Sequence, residues 1–90
     1  MPSELLQAAA DGDIGKLTML LAAEGVDVNQ ATKEGVTSLY IASQNGHADV
    51  VERLLAAEGI DVNKATKDGF TSLHVASQNG HVDVVEKLLA

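Results

Sequence analysis

The amino-acid sequence predicts an all-α protein in which short helices stack in pairs along a repeat. Three observations predict this fold: a repeat with a period of 34 residues, apolar residues at helical spacing, and a hydrophobic fraction of 46% that contains only two aromatic residues. Small aliphatic side chains suit helices that approach closely, whereas one compact core of this size usually needs more large residues. The 90 residues suffice for one domain over 1–90.

The repeat is strongest between residues 22–55 and 56–89, where 26 of 34 positions are identical. The opening segment follows the same period more loosely, since Leu20-Leu21 aligns with Leu54-Leu55. The first unit lacks its leading loop and the third lacks its tail. The expected units span about 1–29, 30–63 and 64–90.

The first helix of each unit is predicted from its end signals and its apolar face. In the second unit, Thr37 is a natural N-cap, because its hydroxyl can accept a backbone N–H. Leu39, Ile41 and Ala42 follow as the apolar face. Gly46 is expected to end the helix, since glycine adopts the left-handed conformation at little cost.

The second helix is predicted over residues 48–58 and is expected to end at Gly59. The spacing i, i+1, i+4, i+5 indicates a buried stripe of apolar residues: Val50, Val51, Leu54 and Leu55. After this helix, residues 60–63 lead into a loop, and residues 67–69 indicate a tight turn.

The charge and composition argue against several classes of partner. Thirteen acidic residues against six basic ones give a net charge of −7, which disfavours nucleic acid and anionic membranes and weakly favours a basic partner. The sequence has no cysteine, and its start is not that of a signal peptide. No apolar run approaches the ~20 residues of a membrane span. We therefore expect an intracellular, cytoplasmic protein.

No arrangement of residues indicates catalysis, a metal or a cofactor. His47 and His81 lie 34 residues apart, and stacked helices ~8–10 Å apart hold two imidazoles too far from each other to share one zinc ion. Asp49 and Asp83 follow these histidines by two residues, and residues two apart on a helix do not face each other. The sequence predicts that the protein is not an enzyme.

The residues that recur between the units form a recognisable motif. The third unit and the loop before it carry Asp61-Val62-Asn63, Gly69, Thr71, Leu73, His74, Ala76, Gly80, His81 and Leu88-Leu89. These residues resemble the ankyrin repeat family, whose pattern runs Gly-x-Thr-Pro-Leu-His-x-Ala-Ala-x-x-Gly-His, then a helix ending Leu-Leu, then Gly-Ala-Asp-Val-Asn. The resemblance covers nearly the whole chain.

The sequence departs from the family pattern at a few positions. Serine replaces the proline at Ser38, and Thr32 and Thr66 replace the aspartate of the turn. Tyr40 replaces the histidine of the second unit and is expected to lose a turn hydrogen bond there. The period of 34 exceeds the usual 33 by one, so we expect a second helix that is one residue longer.

The resemblance implies an ankyrin-type solenoid of stacked antiparallel helix pairs, joined by β-hairpin-like loops that project at right angles. It also implies a non-catalytic scaffold that binds another protein through its loop tips and the concave face of the first helices. Phe70 is either an exposed anchor or packed against its own loop. Carried over by position, the partner-binding residues are Lys33, Glu34, Val36, Ser43, Gln44, Asn45, Lys67, Asp68, Phe70, Ser77, Gln78 and Asn79.

The two ends of the repeat differ in polarity. Lys16 occupies the position of Val50 and Val84, as expected of a solvated first unit, whereas the third unit keeps apolar Val82 and Leu89. Either the chain is a piece of a longer array, or the third unit pairs with another copy. The alternative function is therefore a self-associating module, a homodimer through the C-terminal unit. The near-identity of two units fits natural duplication and a designed protein equally.

Overall fold

The computed structural model describes residues 3–90 and contains six helices in three pairs. The pairs are α1 (Glu4–Asp11) with α2 (Ile14–Leu21), α3 (Ser38–Asn45) with α4 (Ala48–Leu55), and α5 (Ser72–Gln78) with α6 (Val82–Leu89). Helix α3 packs between α1 and α5, and α4 packs between α2 and α6. First helices therefore form one layer and second helices the other, which confirms the predicted all-α repeat fold.

The first helices begin and end at the predicted residues. The Thr37 hydroxyl accepts the Tyr40 N–H at 3.1 Å, and the Thr71 hydroxyl accepts the His74 N–H at 3.3 Å. Gly46 has a φ of +77° and follows the last residue of α3, as expected of a left-handed C-cap.

The second helices are shorter than predicted. Helix α4 ends at Leu55, and the N–H of Ala57 donates to the carbonyl of Leu54 at 3.0 Å, a tight turn that closes the helix. Gly59, with a φ of +80°, lies in the loop four residues beyond Leu55. The prediction of a helix over residues 48–58 is therefore wrong, because the chain turns at Ala56 and Ala57.

The loops between the pairs form the predicted hairpin-like turns. The N–H of Thr32 donates to the Val36 carbonyl at 3.0 Å, and the Thr32 hydroxyl accepts the Val36 N–H at 3.2 Å. The threonine hydroxyl thus accepts a backbone hydrogen bond in the turn, at the position where the family pattern has aspartate. The Lys67 N–H donates to the Glu34 carbonyl at 2.7 Å and joins the tips of the two loops.

The core lies between the two layers and consists of aliphatic residues. Ala42 and Ala76 are fully buried where first helices meet, as expected of closely stacked helices. The predicted apolar stripe of α4 is largely confirmed, since Val50, Val51 and Leu54 are fully buried and Leu55 is half-buried.

Gly46 and Gly80 form a matched pair for testing how closely neighbouring pairs pack. Their φ angles are +77° and +74°, but an added Cβ at Gly46 would lie 2.7 Å from Nδ1 of His81, whereas Gly80 has nothing within 4 Å. Gly80→Ala should lower the free energy of unfolding by about 1 kcal/mol through backbone strain. Gly46→Ala should lower it by about 1–3 kcal/mol more, because His81 must move.

The measurement is urea denaturation of the two variants and the wild type, followed by circular dichroism. Equal losses of stability in both variants would contradict a close approach of His81 to the end of α3.

Candidate functional site

The predicted loop-tip residues lie at the surface beside one another. Lys33, Glu34, Lys67 and Asp68 are exposed, and Val36 is half-buried. The backbone bond from Lys67 to Glu34 holds the two tips together without using either side chain. The tips therefore present a mixed-charge surface whose charged side chains are exposed.

Phe70 combines the two roles that the sequence leaves open. Its ring packs edge to face on His74, with 4.6 Å between ring centroids and an interplanar angle of 87°, while 37% of the residue stays exposed. Within residues 3–90 the His74 ring has no hydrogen-bond partner. The Tyr40 hydroxyl likewise makes no hydrogen bond within these residues, so the expected loss of a turn hydrogen bond there stays a prediction.

The identical Ser-Gln-Asn segments of α3 and of the third pair occupy different environments. Ser43 is fully buried, and its hydroxyl has no hydrogen-bond partner within residues 3–90, whereas Ser77 is exposed. Gln44 and Gln78 are both exposed. Ser43 cannot reach a partner because α5 packs on α3, so its prediction as a contact residue is wrong.

A polar clamp joins the second pair to the first. The Asn45 amide donates to the carbonyl of Ala10 at 3.0 Å, and Nε2 of His47 lies 3.1 Å from the same oxygen. A carbonyl can only accept, so Nε2 of His47 carries the proton. The two donors satisfy an oxygen at the end of α1 that has no partner within its helix.

The same clamp recurs one period later between the third and second pairs. Asn79 donates to the carbonyl of Gln44 at 3.1 Å, and Nε2 of His81 lies 3.0 Å from it. Asn45 and Asn79, predicted as partner contacts, thus use their amide groups to join neighbouring pairs. Sequence reasoning missed this role, although the repetition of Asn-Gly-His at the repeat period is a signal for it.

A second link between neighbouring pairs was also not predicted from the sequence. The Asn29 side chain donates to the Gly59 carbonyl at 2.8 Å and accepts the N–H of Asp61 at 2.8 Å. The asparagine of the Asp-Val-Asn motif therefore ties one loop to the next. Its signal in the sequence is the recurrence of this motif, in which Asn63 lies one period after Asn29.

The one ion pair among the described residues lies in the layer of second helices. Nζ of Lys87 is 2.5 Å from a carboxylate oxygen of Glu52, and this hydrogen bond lowers the pKa of Glu52 and raises the pKa of Lys87. Such an exposed pair contributes little to stability.

Residues 3–90 hold no cluster of three metal-ligating side chains, and none of their helices is long and apolar enough to cross a membrane.

Comparison with known proteins agrees with this geometry. The sequence model of the family "Ankyrin repeats (3 copies)" matches residues 5–90. The chain belongs to the ankyrin repeat family. The crystal structure of the human ASB11 ankyrin repeat domain has a TM-score of 0.89 and 39% sequence identity, over 98% of this chain and 39% of that chain.

Relatives of this ankyrin repeat chain include cortactin-binding protein 2 from Ornithorhynchus anatinus and from Mus musculus. Each is 48% identical over 50 residues, which is 56% of this chain and 3% of the relative. The chain thus matches a small part of these proteins. Ankyrin repeats are in general protein-interaction modules.

Asn79 and its neighbour Gln78 allow the structural role of the clamp to be tested. Asn79→Ala should lower the free energy of unfolding by about 1 kcal/mol, because the bond to Gln44 is lost. Gln78→Ala should not lower it, since Gln78 is exposed and alanine favours a helix at least as well. Urea denaturation measures both; unchanged stability in Asn79→Ala would contradict the clamp.

Proposed function

We propose that this ankyrin repeat chain is a non-catalytic scaffold that binds another protein through its loop tips and the exposed side of α3 and α5. The observation that carries the proposal is that the polar groups which join the pairs differ from the charged side chains at the loop tips. Bonds to backbone carbonyls hold the pairs together, while the side chains of Lys33, Glu34, Lys67 and Asp68 stay exposed. A surface of this kind can vary without loss of the fold.

The proposed contact surface contains eleven residues, which are the predicted set without the buried Ser43. Phe70 supplies the aromatic group and the loop tips supply charges of both signs, a combination suited to rigid docking with little rearrangement. The set is Lys33, Glu34, Val36, Gln44, Asn45, Lys67, Asp68, Phe70, Ser77, Gln78 and Asn79.

Cortactin is the first whole protein to test, because the relatives are named for binding it. The match covers 50 residues and 3% of those relatives, so cortactin binding by this chain is a proposal. Peptides selected on the wild-type chain from a random display library provide a second probe. They report which surface of the chain binds most readily, whatever its natural partner is.

Lys67→Ala and Phe70→Ala should each weaken binding of the selected peptides about tenfold, corresponding to about 1.4 kcal/mol. Lys67→Ala should leave the free energy of unfolding unchanged, because only the backbone of Lys67 bonds to the neighbouring loop. Arg53→Ala, on the exposed surface of α4, is the control. Calorimetric titration measures the affinities.

The proposal predicts that the Arg53 variant binds as the wild type does. Loss of affinity in the Arg53 variant alone would place the binding surface on the second helices instead.

Self-association through the third pair is a second candidate function. It is favoured by the exposure of apolar side chains there: Leu73 is 36% exposed, and Val82 and Leu89 are each 68% exposed. An exposed patch of apolar side chains is typical of an interface.

A homodimer should give a mass that rises above 9.3 kDa with concentration in light scattering after size exclusion. Val82→Glu should abolish that rise, since it places a charge on the exposed face without disturbing the core. A mass of 9.3 kDa across a hundredfold range of concentration would exclude this candidate.

A further inference from the structure

A groove in the layer of second helices recurs at the repeat period. The first groove lies between α2 and α4 and has a volume of about 440 Å³. The second groove lies between α4 and α6 and has a volume of about 520 Å³. Leu21 and Val28 line the first groove, and their counterparts Leu55 and Val62 line the second. The two grooves therefore share an aliphatic lining.

The two grooves differ in their charged residues. In the second groove, Lys87 of α6 pairs with the carboxylate of Glu52 on α4. The matching positions of the first groove hold Arg53 on α4 and Thr18 on α2. Threonine is shorter than glutamate and has no negative charge, so α2 brings no carboxylate to this position. The first groove thus has the cation of the pair without its anion.

The carboxylates on its own helix do not pair with Arg53. Glu52 is held by Lys87 in the only ion pair among the described residues. The carboxylate of Asp49 accepts the N–H of Val50 at 2.8 Å. Arg53 is exposed, and its planar guanidinium can donate two parallel hydrogen bonds to one carboxylate. Its guanidinium can therefore bind an acidic group from outside the chain.

The other charges limit how acidic the occupant of the first groove can be. Glu58 is the only carboxylate among the residues that line this groove, and the chain has a net charge of −7. Both repel a segment with many acidic residues. A single carboxylate at Arg53, with aliphatic groups over Leu21 and Val28, complements the cation and covers the apolar lining.

We infer that the first groove is a docking site for a segment of another protein that carries one carboxylate side chain between aliphatic side chains. The carboxylate binds the Arg53 guanidinium as Glu52 binds Lys87 in the second groove. All residues that line the first groove are half-buried or exposed, so the groove is open to a partner's side chains at the surface. This docking site is separate from the proposed contact surface, since the groove contains none of its eleven residues.

The probe for this site is a display library of short peptides, each with one glutamate at its centre and varied aliphatic or small residues on both sides. Peptides selected on the wild-type chain are synthesised with blocked ends in two forms, one with the glutamate and one with glutamine in its place. Glutamine has nearly the same shape without the charge, so the glutamate form should bind about tenfold more tightly. Calorimetric titration measures both affinities.

Thr18→Glu and Thr18→Gln are a matched pair of variants for this site. The first recreates the ion pair of the second groove and engages Arg53, so it should bind the glutamate peptide about tenfold more weakly than the wild type does. The second adds the same bulk without the charge and should bind within about threefold of the wild type. Arg53→Gln, at an exposed position, should also bind about tenfold more weakly. Circular dichroism establishes that the variants fold.

Amide chemical shifts locate the bound peptide on the wild-type chain. They should change in residues 18–28 and 53–58, which line the groove, and stay unchanged in the loop tips at residues 33–36 and 67–70. Changes confined to the loop tips would overturn the inference. Concentration-dependent shifts of the groove amides without peptide would also overturn it, because a second copy of the chain would then occupy the groove.

The affinities provide further outcomes against the inference. It would be overturned by a library that yields no binder, by equal binding of the glutamate and glutamine forms, or by equal loss of binding in both Thr18 variants. Unchanged binding to Thr18→Glu and Arg53→Gln would overturn it as well. The scaffold proposal fails separately: it is contradicted when peptides from the random library lose affinity only for the Arg53→Ala variant.

Discussion

Each helix pair depends on its neighbour to bury its apolar surface, and the rest of the structure follows from this constraint. The helices have seven or eight residues, fewer than the about 12–15 at which an isolated helix becomes marginal in water. Val51 and Leu54 are fully buried in the second pair, on which the third pair packs, whereas their counterparts Val85 and Leu88 in the third pair are half-buried. Stability therefore arises at the contacts between pairs, as in other solenoids.

The ends of the first helices make that contact specific. Gly46 takes a left-handed conformation that closes α3, and its lack of a Cβ lets the His81 ring approach closely. The free carbonyl of Gln44 then accepts from both Asn79 and His81. One glycine thus ends a helix and opens the space in which the next pair is held, while the bonds themselves go to backbone atoms.

Because the bonds between pairs use mainly backbone acceptors, many surface side chains have no part in folding. Lys33 and Lys67 at the loop tips are exposed, so substitution of these side chains should leave the fold intact. The cation and anion in each tip and the partly exposed Phe70 offer contacts of different chemistry.

The sequence by itself determined the repeat and the helix pairs, because they are read from recurring residues. It also determined the N-cap at Thr37 and the helix end at Gly46, because these depend on residues within one or two turns of each other. It also indicated the loop tips, whose exposure follows from their polarity. Only the tertiary structure decided the burial of the serines in the identical Ser-Gln-Asn segments, where Ser43 is buried and Ser77 is exposed. Burial depends on whether another pair covers the face, and no local pattern records that contact.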